Sequence, residues 1–234
     1  MLAKILLSFK IYIIIMNRFN SKELTELLMA FIVISLAFTF MYTKMNADLV
    51  SQMLPMIMIG VGSGFILHEL AHKFVAMHYG YYAEFKIWIP GLFLALISSV
   101  MGFLFAAPGA VHIYGQFMSN RENGIISEAG PLTNIVLGVV FFIFAAALIP
   151  FISQQGLNSG LYPFLFQTAI LGFSINGWLA LFNLIPFGVF DGAKIIQWNS
   201  IVWVVTAILA GAMVLMSFTG VENYLLPLTY LFYS

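Results

Sequence analysis

The sequence predicts an all-α polytopic membrane protein, a helical bundle with a membrane-associated β-strand and re-entrant element. Three observations lead to that class. Of 234 residues, 62% are hydrophobic and 8% charged, against roughly 45–50% and about 25% in a soluble domain. Mean hydropathy is +1.01, and apolar runs cover nearly the whole chain, so residues 1–234 read as a single membrane-embedded domain. One region departs from the helical texture: Tyr81–Ile89 and Ala110–Tyr114 are rich in aromatic and β-branched residues, which favours strands.

The elements follow in order. Residues 1–24 begin MLAKILLSFKIYIIIM, apolar with Lys4 and Lys10, and Asn17-Arg18 stand where a cleaved leader would carry small residues. They read as a retained, amphipathic surface helix. Asn20 with Glu23 forms a capping box that opens a spanning helix over 26–43. Lys44–Asp48 is a polar loop, and a second span covers 55–77, ended by Gly80. Residues 81–114 form the strand and re-entrant region, because the apolar run 91–107 is interrupted by Ser98, Ser99 and Gly102. A polar stretch, Ser119–Glu128, precedes three further spans over 129–149, 161–185 and 201–218. Lys4, Lys10, Arg18 and Lys22 all precede the first span, which puts the N-terminus in the cytoplasm and the protein in the cell membrane.

Composition also excludes chemistry. The formal net charge of +0 offers phosphates no basic stripe, so the expected partner is the lipid bilayer and not a nucleic acid. With no cysteine, disulfides, thiolate metal sites and cysteine nucleophiles are all excluded. A metal here must be held by nitrogen and oxygen.

The stretch Phe65–Ala76, FILHELAHKFVA, places two imidazoles and a carboxylate inside the second span. His68 and His72 are one helical turn apart on one face, with Glu69 beside them. This is the H-E-x-x-H spacing, in which two histidines bind zinc and the glutamate acts as general base. The bland alternative makes each histidine an interhelical hydrogen bonder, yet three ionisable groups at membrane depth call for a common partner. Gly60 and Gly64 continue the same i, i+4 row, either for close helix packing or as a groove leading to the metal. A third ligand is required. Most remaining acidic residues sit in polar loops or near termini; Asp191 follows a span in FNLIPFGVFDG, where Pro186, Gly188 and Gly192 would bend the backbone. An N-cap role for Asp191 stays equally open on these grounds.

HELAH together with FNLIPFGVFDG resembles the site-two protease family of intramembrane zinc metalloproteases. The likeness extends through Glu128–Asn134, EAGPLTN, and spans Gly60 to Ile195 in the family's order. It implies one zinc per chain held by His68, His72 and Asp191, with Glu69 activating water and Asn183 holding or polarising the substrate carbonyl. It also implies a zinc endopeptidase that cuts a transmembrane segment of another membrane protein. In the family, such partners are membrane-anchored transcription regulators or their anchors. Phe190 and Gly188-Val189 depart from the family's usual loop, and no regulatory PDZ or CBS domain fits the chain. Asn176, on a stripe with Gly172, Ala180 and Asn183, reads as an interhelical hydrogen bonder.

If Asp191 returns to the depth of His68, Ser119–Glu128 lies on the same side and residues 91–107 do not cross. A strand edge then stands open for an unwound substrate. Two other classes compete. A divalent-metal transporter would need a polar path through the membrane. A metalloprotease of the prenyl-protein type would take its third ligand from Glu122 or Glu128. His78 and His112 receive no role.

Overall fold

The computed structural model describes residues 19–105, 107–115, 117–155, 160–225 and 227. Most of the expected N-terminal surface helix, residues 1–18, lies outside them.

Helix α1 (Ser21–Thr43) takes in residues 21–24 and starts where Asn20 Oδ1 accepts from the Glu23 N–H at 2.7 Å. Leu27, Ala30, Ile34, Ala37 and Phe38 are buried along one face, the three-to-four spacing of a packed helix. Ser35, Thr39 and Thr43 donate their hydroxyls to carbonyls one turn back, which satisfies them without water. The capping box is half formed. The Glu23 carboxylate leaves its own helix end for the Lys73 ammonium, 2.6 Å from both oxygens, a stronger partner than a neutral N–H.

The second span starts earlier than the sequence predicts. Asn46 caps helix α2 (Ala47–Val61) by accepting from Asp48 N and Leu49 N, so Pro55 stands inside the helix and not at its start. A π-helical stretch, Gly62–Ile66, leads into α3 (Leu67–His78) without a break. Such widened turns often lie at functional sites. Gly60 and Gly64 do not border a groove. A Cβ at Gly60 would stand 3.2 Å from Gly172 Cα, and one at Gly64 would stand 3.0 Å from Leu179 Cδ1 and 3.1 Å from Asn176 Oδ1. The small residues let two backbones approach closely.

Strands β1 (Tyr82–Ile87) and β2 (Gly109–Tyr114) pair antiparallel, Tyr82 opposite Tyr114 and Ile87 opposite Gly109. On the hairpin surface Lys86 bonds Glu84 at 3.1 Å and holds that carboxyl below its usual range. Between the strands lies α4 (Ile89–Val100), about 18 Å long and too short to cross roughly 30 Å of hydrocarbon. The chain turns at Gly102, φ 89°, and returns to β2. Ser98 fixes the return leg by accepting from Phe105 N at 3.0 Å.

Helix α5 (Asn120–Gln155) runs through the stretch expected as a polar segment. Ser119 and Glu122 make a reciprocal capping box: Glu122 N donates to Ser119 Oγ at 3.2 Å, and Ser119 N to the Glu122 carboxylate at 2.9 Å. Helix α6 (Leu161–Asn183), the short α7 (Asp191–Trp198) and α8 (Ser200–Thr219) complete the chain. Five helical segments are long and apolar enough to span a bilayer: α1, the α2–α3 rod, α5, α6 and α8. The protein is an all-α polytopic membrane protein.

The contacts fix directions. Gly60 packs on Gly172 and Gly64 on Asn176, so the α2–α3 rod and α6 run parallel. His72 meets Ile126, and His68 meets Asn134, so α3 and α5 run antiparallel.

Candidate metal centre

Three donors converge where α3, α5 and α7 meet. His68 Nε2 and His72 Nε2 lie 3.0 Å apart. Asp191 Oδ2 stands 3.5 Å from the first and 3.1 Å from the second. Zinc at about 2.0–2.1 Å from each of three tetrahedral ligands would set them about 3.3 Å apart. All three residues are buried.

The outer nitrogens decide what the inner ones can do. His72 Nδ1 is 2.7 Å from the Ile126 carbonyl, which only accepts, so this nitrogen carries the proton. His68 Nδ1 is 2.6 Å from Asn134 Oδ1. The Asn134 amide nitrogen donates to Gly64 O and to Asn176 Oδ1, both at 3.0 Å, which leaves its oxygen as the acceptor for His68. With both neutral rings protonated at Nδ1, both Nε2 lone pairs point at each other and at a carboxylate. Two lone pairs and an anion crowded together repel unless a cation lies between them, and imidazoles fixed in this way are suited to a metal. The hydrogen-bonding alternative for the histidines therefore accounts for their outer edges only.

Glycine makes the space. A Cβ on Gly130 would fall onto the rings of His68 and His72, so only this residue lets α5 pass so close beneath the donors. Gly192 does the same for the third ligand, because a Cβ there would strike the Leu184 carbonyl where the loop folds back. Asp191 is not an N-cap. Phe190 occupies that position, and Asp191 opens α7 with Oδ2 toward the imidazoles and Oδ1 3.6 Å from Lys194 Nζ.

Glu69 and His68 line a cavity of about 100 Å³ with Asn183, Phe190 and residues 107–110 of the returning chain. Among the described residues Glu69 Oε2 is buried without a hydrogen-bond partner, and Gly109 and Ala110 of β2 line the same cavity. Asn183 donates to Leu179 O of its own helix at 2.9 Å, which leaves one amide hydrogen available to the cavity. The structure thus brings His68, His72 and Asp191 into one cluster, with Glu69 and Asn183 at its cavity.

Neither Glu122 nor Glu128 is among the three clustered donors. Glu122 accepts from Ser119 and Tyr81, and Glu128 from Thr206 at 2.6 Å. The cluster's third donor is therefore not the downstream glutamate of the prenyl-protein type. Among the described residues the candidate ligands form one group and do not line a path across the bilayer. Gly130 and Asn134 lie in the stretch EAGPLTN, which by itself points to no task for either. Their i, i+4 spacing on α5 mirrors that of His68 and His72, and is the one signal that could have found them.

Known proteins bear on this geometry. The chain is 39% identical over 203 residues to a protein of Methanocaldococcus jannaschii that carries the provisional name of zinc metalloprotease. The match covers 86% of this chain and 97% of the relative. A zinc metalloprotease of the same organism is 28% identical over 134 residues, 56% of this chain and 30% of that protein. No family model and no solved structure matches the chain. The cofactor is zinc, which the nitrogen and oxygen donors fit.

Proposed function

Since this chain belongs to the zinc metalloproteases, we propose that it is an intramembrane endopeptidase of the site-two protease kind, cutting a transmembrane segment of another membrane protein. One observation carries the reading: the cavity residues His68 and Asn183 each lie about one bilayer crossing along two parallel membrane-spanning segments. His68 lies about 30 Å along the rod from Ala47, and Asn183 a similar distance from Leu161, each a full bilayer crossing. With the basic N-terminal residues in the cytoplasm, the site sits at the cytoplasmic boundary of the hydrocarbon. A partner would reach it from within the bilayer.

Bound zinc supplies Lewis acidity and a water acidified to a pKa of about 7. The remaining steps belong to the protein. Glu69 takes the proton as water attacks the scissile carbonyl, and returns it to the departing amide nitrogen. The Asn183 amide donates to the carbonyl oxygen as negative charge grows there. His68, His72 and Asp191 hold their positions through Asn134, the Ile126 carbonyl and Lys194. The substrate helix must unwind first, because its carbonyls are otherwise occupied. The outward edge of β2 offers the unwound segment main-chain partners.

The deciding experiment uses the full chain purified in detergent, with a membrane-anchored regulator fragment as substrate. Glu69→Gln should keep its zinc and lose cleavage, and glycine or proline placed in the substrate span should speed the wild type. Cleavage of soluble peptides alone, with every transmembrane substrate spared, would overturn the intramembrane reading.

A further inference from the structure

The hairpin has two edges, and α1 deals with them unequally. The Phe85 N–H donates to Glu23 Oε1 at 2.9 Å, and the Ile87 N–H to Glu26 Oε2 at 3.0 Å. Both groups point away from β2. Their register partners, Val111 and Gly109, must then turn their own N–H and C=O groups away from β1, as non-bonded pairs of an antiparallel ladder do. That open edge borders the cavity that Glu69 lines, with Gly109 and Ala110 in its wall. The two carboxylates thus stand where a third strand would supply carbonyls.

The attachment continues into the metal helix. Glu23 is buried with Lys73, and both its oxygens are 2.6 Å from the ammonium. Lys73 directly follows the ligand His72 and lies 4.1 Å from the Phe19 ring centroid. Glu23 therefore holds β1 and α3 with one carboxylate. No chemistry in the proposed reaction needs this arrangement.

We propose that Glu23 and Glu26 are positioning residues, a surrogate strand that fixes the hairpin on its outer edge and so keeps the open edge of β2 beside Glu69. This rests on the reading that substrate pairs with β2. A carboxylate suits the task because it accepts strongly from backbone N–H groups and, unlike a real strand, leaves nothing further to be extended.

Glu26 is the residue to test, because truncating one partner of the buried Glu23–Lys73 pair strands a charge and confounds folding. Glutamine keeps an acceptor for the Ile87 N–H, and alanine does not. In Glu26→Ala, amide exchange across 82–87 and 109–114 should accelerate. KM for the transmembrane substrate should rise about tenfold, the size expected from losing a bond to a charged group, with kcat and zinc content near wild type. Glu26→Gln should restore both readouts. Unchanged exchange and KM in the alanine variant, or equal loss in both variants, would overturn the inference. The chain has no cysteine, so His112→Cys on β2 can capture a substrate cysteine as a disulfide. Failure of capture in an otherwise wild-type background, with exchange responding as expected, would remove substrate pairing and leave the hairpin's anchorage standing.

Discussion

The metal cradle and the hairpin face one another across a single cavity but are built in opposite ways. The cradle gathers His68, Glu69 and His72 within five residues of one helix and sets both imidazoles against one face of α5. The hairpin consists of two six-residue strands whose position depends on carboxylates about sixty residues away in α1. In the first region, helical periodicity brings His68, Glu69 and His72 together, and one further ligand, Asp191, arrives from α7. In the second, local sequence forms the strands, and distant polar contacts decide where they stand. The difference teaches that the reacting groups and the groups that present substrate obey different constraints, and mutations should separate them.

The largest effect belongs to the ligands. Asp191→Ala should lose zinc and all cleavage, whereas Glu128→Ala should keep its zinc, because Glu128 bonds Thr206 and not the cluster. Metal analysis of the two purified variants checks this. Zinc retained by Asp191→Ala would mean that the cradle is not built as described. Gly130→Ala tests the same region through space, since its added methyl would meet both imidazoles. It should also purify with depleted metal.

This contrast tracks what was legible. HELAH declares itself because periodicity places its groups on one face, and the five spans follow from apolar length. Asn134 was harder to assign: it lies 66 residues from His68, and a polar residue in a span has many possible partners. The Ile126 carbonyl has no sequence signature, since any residue supplies one. Glu23 was misleading for a different reason. Its spacing from Asn20 satisfies the capping-box rule, and only the fold shows the buried ammonium that competes for it. The start of α5 is legible in the sequence, since Ser119 and Glu122 stand in the same spacing as Asn20 and Glu23.

Next in size is the buried pair. Glu23→Gln should destabilise the protein by about 3–5 kcal/mol, because it leaves the Lys73 ammonium buried beside a neutral amide. Glu23→Leu combined with Lys73→Met should recover most of that loss, as apolar replacements of buried ion pairs commonly do. Thermal unfolding in detergent distinguishes them. If the double variant cleaves slowly while melting normally, the hairpin's placement and the bundle's stability are separable properties. Equal stability of Glu23→Gln and wild type would show that water reaches the pair.

A smaller effect comes from the residue that orients a ligand without touching the metal. Asn134→Ala removes the acceptor for His68 Nδ1 and the donor to Asn176 and Gly64. Zinc affinity should fall about 10–100-fold, as for other residues that orient metal ligands, and excess zinc should restore the rate. Asn134→Asp should retain more affinity than alanine, since it still accepts from His68. Identical metal titrations for all three proteins would place the control of His68 elsewhere.

The smallest effect is expected at Asn183, where the two regions meet. Its amide nitrogen bonds its own helix at Leu179 O, and the residue lines the cavity opposite the returning chain. The bond to Leu179 holds the side chain in place before substrate arrives, so orienting the carbonyl requires little rearrangement. One hydrogen bond that strengthens as charge develops corresponds to about 1.4 kcal/mol, or tenfold in kcat. Asn183→Ala should show that loss with unchanged zinc and unchanged KM, because the ground-state contacts are assigned to β2. A change in KM alone would instead make Asn183 part of the binding surface and extend the substrate-presenting region onto α6.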